Sequence, residues 1–146
     1  METGESITVA QAQPFLETMV GQPLQWAIKS PDMELFDVGF GGEGKDLPPF
    51  VIHAICPVKV VSHATRQVRV YQGNADAEGF RRDMEGLYGL SLRRVAFSEK
   101  HDLWLDLGEY WLIFVTFEDG EESWRFFRPH QPQPHLVATD RDLELQ

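Results

Sequence analysis

The chain has 146 residues, the size of one domain. Hydrophobic residues make up 42% and charged residues 25%, a balance that excludes wholesale disorder. Lys and Arg number 13 against 23 Asp and Glu, and this net charge of −10 argues against nucleic acid or an anionic membrane surface as partner.

A short helix is expected to open the chain. Thr8 to Gln13 lead into Pro14-Phe15-Leu16-Glu17-Thr18-Met19-Val20, and Gly21 follows. Proline suits a first helical turn, and glycine suits the position after the last one. Leu24, Trp26 and Ile28 then alternate with Gln25, Ala27 and Lys29, as do Glu34, Phe36, Val38 and Phe40 with Leu35 and Asp37. Both stretches have the period of half-buried strands. The Gly-rich residues 41–49 read as a loop. Phe50 to Cys56 is apolar on both faces except His53 and is expected to be a central strand. Val58 to Val70 supplies one or two more strands.

The second helix is clearer. Asn74 or Asp76 can cap it, Phe80, Met84, Leu87 and Tyr88 share one face, and Gly89 ends it. Glu78 with Arg82 and Arg81 with Glu85 are spaced as helical ion pairs. Strands are then expected over Leu92–Phe97, Leu103–Leu107, Tyr110–Phe117 and Ser123–Phe127. Asp119-Gly120 carries the signal of a tight hairpin between the last two. Residues 129–135 hold three prolines and cannot be regular structure. Leu136–Ala138 can pair on an edge. The fold class is therefore α+β in a single domain over 1–146. About seven or eight strands form a curved, mainly antiparallel sheet or half-barrel with two helices.

Chemistry-bearing motifs are sparse. The segment from Gly39 to Asp46 is Gly-rich but lacks phosphate-loop spacing and carries Glu43 and Asp46, which repel phosphate. His53, His63, His101, His130 and His135 have no metal-ligand spacing, and His53 and Cys56 face opposite sides of a regular strand. No metal or cofactor is expected. Cys56 is the only cysteine, set between Ile55 and Pro57, and apolar surroundings make a thiol inert. The carboxylate groups Asp32/Glu34, Asp102/Asp106 and Glu118/Asp119/Glu121/Glu122 have no sign of a desolvated cleft, so no catalytic residue is assigned. Trp104, Trp111 and Trp124 fall on successive strands, where they either pack the core or floor a pocket or interface. Residues 51–97 carry 7 basic and 4 acidic side chains, whereas 1–50 carry 2 and 8 and 98–146 carry 4 and 11. That locally basic middle reads as a patch or as the complement of the acidic ends.

Three landmarks carry a resemblance. They are Gly21-Gln22-Pro23-Leu24-Gln25-Trp26, Ile52-His53-Ala54-Ile55-Cys56-Pro57 and Asp119 to Phe127 with Trp124-Arg125-Phe126-Phe127. Together they resemble a family of small bacterial proteins with Gly-x-Pro-Leu-Trp, Leu-His-x-x-Cys-Pro-Trp-Arg and Glu-His-Trp-Arg-Leu-Phe at those places. Here Trp26 is displaced by one position, Val58-Lys59 replaces Trp-Arg, and Ser123 replaces the histidine. The resemblance implies a bacterial source and assigns no activity. It leaves His53, Trp124 and Arg125 as candidate ligand-binding positions.

The first reading is a non-catalytic interaction or regulatory protein of bacterial cytoplasm, with a protein partner of unknown identity. One version is an immunity-type protein that neutralises a basic toxin through its acidic surface. The alternative is a small-ligand binder with a pocket on the sheet, gated by the Gly-rich loop. An enzyme of unknown type is the third reading. The free thiol and the absence of a long apolar run at the N-terminus support a cytoplasmic location.

Overall fold

The computed structural model describes residues 4–42, 47–131 and 134–146. Twelve strands and two helices are formed among them. The strands are β1 (Glu5–Ile7), β2 (Leu24–Lys29), β3 (Phe36–Phe40), β4 (Phe50–Ala54), β5 (Val58–Ser62) and β6 (Val68–Tyr71), followed by β7 (Arg94–Phe97), β8 (Leu103–Asp106), β9 (Tyr110–Phe114), β10 (Trp124–Phe127), β11 (Leu136–Ala138) and β12 (Leu143–Leu145). The helices are α1 (Val9–Glu17) and α2 (Ala77–Glu85). All strand pairs are antiparallel, in two sheets with the orders β1-β12-β11-β10-β4-β3-β2 and β6-β5-β9-β8-β7. The α+β class holds, but the expected single curved sheet of seven or eight strands is replaced by two sheets, neither closed into a barrel.

The inner faces of both sheets share one apolar core. Phe36, Val38, Phe40 and Ile52 supply it from the seven-stranded sheet, and Leu103, Leu105, Leu112 and Phe114 from the five-stranded one. Phe97 and Trp124 meet across the gap, with ring centroids 6.1 Å apart. The chain changes sheets twice at one place, between β4 and β5 and between β9 and β10. There Ile55 and Cys56 donate backbone hydrogen bonds to the Ser123 carbonyl, and Val115 donates to that of Pro57. Cys56 is fully buried in this crossing, just past β4 rather than within it.

The Asp119-Gly120 signal is therefore not a hairpin between paired strands, because β9 and β10 lie in different sheets. Phe114 ends β9 early. Thr116 then donates its backbone N–H and its hydroxyl to Asp102, and its hydroxyl also lies 2.8 Å from the Lys100 carbonyl. Those bonds pull the chain off the ladder. β11 is an interior strand rather than an edge, because β12 and β1 extend the sheet beyond it.

α1 starts on a Thr8/Gln11 capping box, one turn earlier than Pro14 suggests, so the proline lies inside the helix. The helix also stops at Glu17, three residues short of Val20. α2 is capped by Asp76 and ends at Gly86, before Gly89. Its Arg81 pairs with both Glu85 and Glu78, and the expected Glu78–Arg82 pair does not form. Phe80 packs on Phe36 and Tyr71, each at 4.9 Å, so α2 bridges the two sheets and lies chiefly on β2.

In β2 a register shift between Leu24 and Trp26 reverses the buried face. Leu24, Ala27 and Lys29 are buried, while Trp26 and Ile28 face outward. Gly39 of β3 admits the loop before β4, since a Cβ there would meet Pro48 Cγ at 2.5 Å. Glu43–Asp46 of the expected gating loop and Pro132–Gln133 of the Pro-rich segment lie outside the described residues.

Candidate functional site

The three sequence candidates separate. Trp124 is fully buried, and its indole N–H donates to the His101 carbonyl at 2.9 Å, so it is a core residue. His53 and Arg125 are direct cross-strand partners on the outer face of the seven-stranded sheet. Around them Phe127 is held between His53, edge-on at 4.8 Å, and His135, stacked at 4.6 Å. Arg125 gives Nε and Nη2 to the two Glu122 oxygens at 2.8 and 2.6 Å, and Nη1 reaches His135 Nδ1 at 2.9 Å.

Because a guanidinium only donates, His135 must accept at Nδ1 and is the neutral Nε2–H tautomer. Burial, then Arg125 and His53, hold its imidazole below the ordinary histidine range, with Glu122 opposing. Every Arg125 nitrogen thus has a partner within the protein. The group is a cross-strand clamp that uses three of the five guanidinium N–H donors within the protein. Beside it His53 Nε2 stands 3.5 Å from Asp37 Oδ1 without bonding it, and that oxygen is buried and unpartnered. Among the described residues no three His, Cys, Asp or Glu side chains come together as metal ligands.

Three more of the candidate carboxylates are committed to structure. Asp102 accepts from Thr116, Asp106 accepts from Gly108 N and faces Arg94 at 3.8 Å, and Glu118 pairs with Lys100. The Cys56 thiol is pushed up to about 12 by burial, so it is no nucleophile at neutral pH.

A different surface emerges on the five-stranded sheet. β9 is its middle strand, flanked by β5 and β8. Leu112 and Phe114 point into the core, and Trp111 and Ile113 therefore point out. The register places Lys59, Val61, Val68 and Val70 on that outer face to one side, and Trp104, Asp106 and Arg94 to the other. Both helices pack elsewhere, α1 against β7 and α2 against β2.

On this face Trp104 meets Trp111 edge-to-face at 5.4 Å, and the Arg94 guanidinium lies over the Trp111 ring, 5.2 Å from its centre. His63 tilts against the same ring at 5.7 Å. A shallow depression of about 420 Å³ runs between Trp111, Arg94, Arg66 and His63. Val68 and Val70 are 55% and 48% exposed. Lys59 and Arg66 have no carboxylate within 4.0 Å among the described residues. The surface is thus apolar and basic on a strongly acidic chain.

Sequence reasoning had set Trp104 and Trp111 beside Trp124, which the partition into two sheets removes. It had not singled out Arg94, Lys59, Val68 or Val70. For the two cations the signal was the basic excess of residues 51–97, of whose seven basic side chains the register puts Lys59 and Arg94 on this face.

A second concavity of about 260 Å³ lies between α2 and the inner side of β5 and β6. Val60, Met84 and Leu87 floor it. At its rim Tyr71 donates to Asp83 at 2.8 Å and Arg69 lies 3.4 Å from the same carboxylate. Burial and the Asp83 bond raise the Tyr71 phenol, so it stays protonated. Among the described residues no helix is long and apolar enough to cross a membrane. Comparison with protein-family models, with curated proteins and with solved structures finds no match for the chain.

Proposed function

We propose that the chain is a non-catalytic interaction protein of the bacterial cytoplasm that docks an acidic protein partner on the outer face of its five-stranded sheet. The observation that carries this reading is the Trp104–Trp111–Arg94 group, an aromatic pair with a stacked guanidinium on a face against which neither helix chiefly packs among the described residues. Aromatic and arginine side chains are the residues that dominate binding energy at protein interfaces. Lys59 and Arg66 beside them, without a carboxylate partner among the described residues, favour a partner of negative charge. The immunity-type version invoked the acidic surface and a basic toxin; the sign of this face supports the opposite partner.

The test is affinity capture by the tagged wild-type chain and by Trp111→Ala combined with Arg94→Glu. The expected result is a salt-elutable acidic protein retained by the wild type and lost from the folded double variant. Equal retention by both places the partner on another surface and ends this reading.

The alternative, a small-ligand binder, has the cleft beneath α2 as its specific support. It requires a polar small molecule that raises the melting temperature of the wild type and does so less for Tyr71→Phe.

A further inference from the structure

Resting on that reading, we propose that the acidic partner arrives as an extended segment that adds a strand to the free edge of β6. Among the described residues β6 ends its sheet and has β5 as its only ladder partner. Ser62 N–H donates to the Gln67 carbonyl, which makes Ser62 and Gln67 a hydrogen-bonded pair. Antiparallel ladders alternate, so Val60–Arg69 and Val58–Tyr71 are also bonded pairs, and the backbone groups of Val68 and Val70 point away from β5. The same two residues hold the exposed valine side chains of the outer face. One pair of positions therefore offers both unpaired backbone groups and uncovered apolar side chains, the two components that strand addition uses.

Of the usual protections of an edge, this strand has a length of only four residues and one inward charge, and it lacks the others. Val68–Tyr71 has no proline, no lysine and no bulge in its register with β5. Its one charge, Arg69, is on the opposite face, beside Asp83.

A second copy of the chain fits poorly as occupant. Two-fold antiparallel pairing about Arg69 sets the two Arg69 side chains against each other. The net charge of −10 also makes identical chains repel. A strand with carboxylates at one alternate set of positions meets Arg69 on one face. Apolar side chains at the other set widen the Val61–Val68–Val70 surface on the side of β6 remote from Trp111.

The experiment uses the full chain and two dye-labelled eight-residue peptides, one alternating glutamate with valine and one alternating lysine with valine, followed by fluorescence anisotropy. The wild type is expected to bind the glutamate peptide saturably and at least about tenfold tighter than the lysine peptide. Val70→Pro removes an outward N–H without touching the β5 ladder and is expected to weaken binding about tenfold, whereas Val70→Thr, which keeps the backbone, changes it less than about threefold. Arg69→Glu is expected to reverse the peptide preference, and this keeps the test decisive should Val70→Pro not fold.

Equal binding of both peptides by the wild type, or Val70→Pro binding as the wild type does, overturns strand addition. If Trp111→Ala with Arg94→Glu abolishes capture of the acidic protein while Val70→Pro retains it, the docking face stands and the strand-addition inference falls. A wild-type dimer in sedimentation that Val70→Pro dissociates overturns the choice of partner in favour of a second copy.

Discussion

Replacing Phe114 by alanine tests the assignment of the two faces of β9. Phe114 is fully buried, with Val58 and Leu103 as its register partners on either side. Burying phenylalanine rather than alanine removes roughly 100–150 Å² more apolar surface from water, worth ~2.5–4 kcal/mol at about 25 cal/mol per Å². The cavity left between two packed sheets adds to that, giving an expected loss of ~3–5 kcal/mol. A domain of this size has a margin of ~5–15 kcal/mol, so the variant sits near the limit of folding at room temperature. Urea denaturation followed by circular dichroism and by tryptophan fluorescence reads the difference directly, since Trp124 is in the same core. Asp119→Ala is the control. Asp119 caps only the Glu121 backbone N–H on an exposed turn, and its loss is expected to stay under about 1 kcal/mol. A Phe114→Ala loss under about 1 kcal/mol refutes the reasoning: the inner and outer faces of β9 would be exchanged, and the docking face with them.

Native Cys56 is expected to react with a thiol reagent at pH 8 only slowly and to react fast in denaturant, because the thiol is fully buried and pushed up to about 12. Rapid labelling of the folded chain refutes its placement in the sheet crossing. Stability is expected to fall as pH drops below about 6.5, since the unfolded chain then takes up a proton that folded His135, held low by burial, Arg125 and His53, refuses. His135→Gln, which keeps an acceptor for Arg125, is expected to flatten that part of the pH profile; an unchanged slope refutes the neutral tautomer. Gly39→Ala is expected to destabilise the chain by ~1–3 kcal/mol by thermal melting, because the added methyl overlaps the Pro48 ring.

Much of the fold was legible wherever periodicity runs for four residues or more. The alternation of Phe36, Val38 and Phe40, the apolar run Phe50 to Ala54 and the spacing of Phe80 and Met84 each define their element and its buried side. What was not legible depends on partners distant in sequence. β1 and β12 are three residues each and pair across the two ends of the chain, too short for a period to show. The bulge in β2 reverses the buried face without changing the alternation, which by itself sets Trp26 on the same face as buried Leu24. The division into two sheets turns on Thr116 bonding to Asp102 and on Val115 bonding to Pro57, contacts that no local motif encodes.

The candidate surface was half legible for a related reason. Counting charges reveals that residues 51–97 are basic, but not that Lys59 and Arg66 come to one side of β9 and Arg94 to the other on the same face. Likewise, the alternation in β9 reveals two apolar faces, and only the sheet order says which of them another sheet covers. The inner face meets the seven-stranded sheet and is settled by packing. On the outer face Ile113 is buried, with Lys59 and Trp104 as its cross-strand partners. An apolar face next to a sheet edge is ordinarily a liability for aggregation. Cations around its margin, on a chain whose remaining surface is acidic, let it accept a negatively charged partner while copies of the chain repel one another. The same charges that keep the face from pairing with itself thus select what covers it.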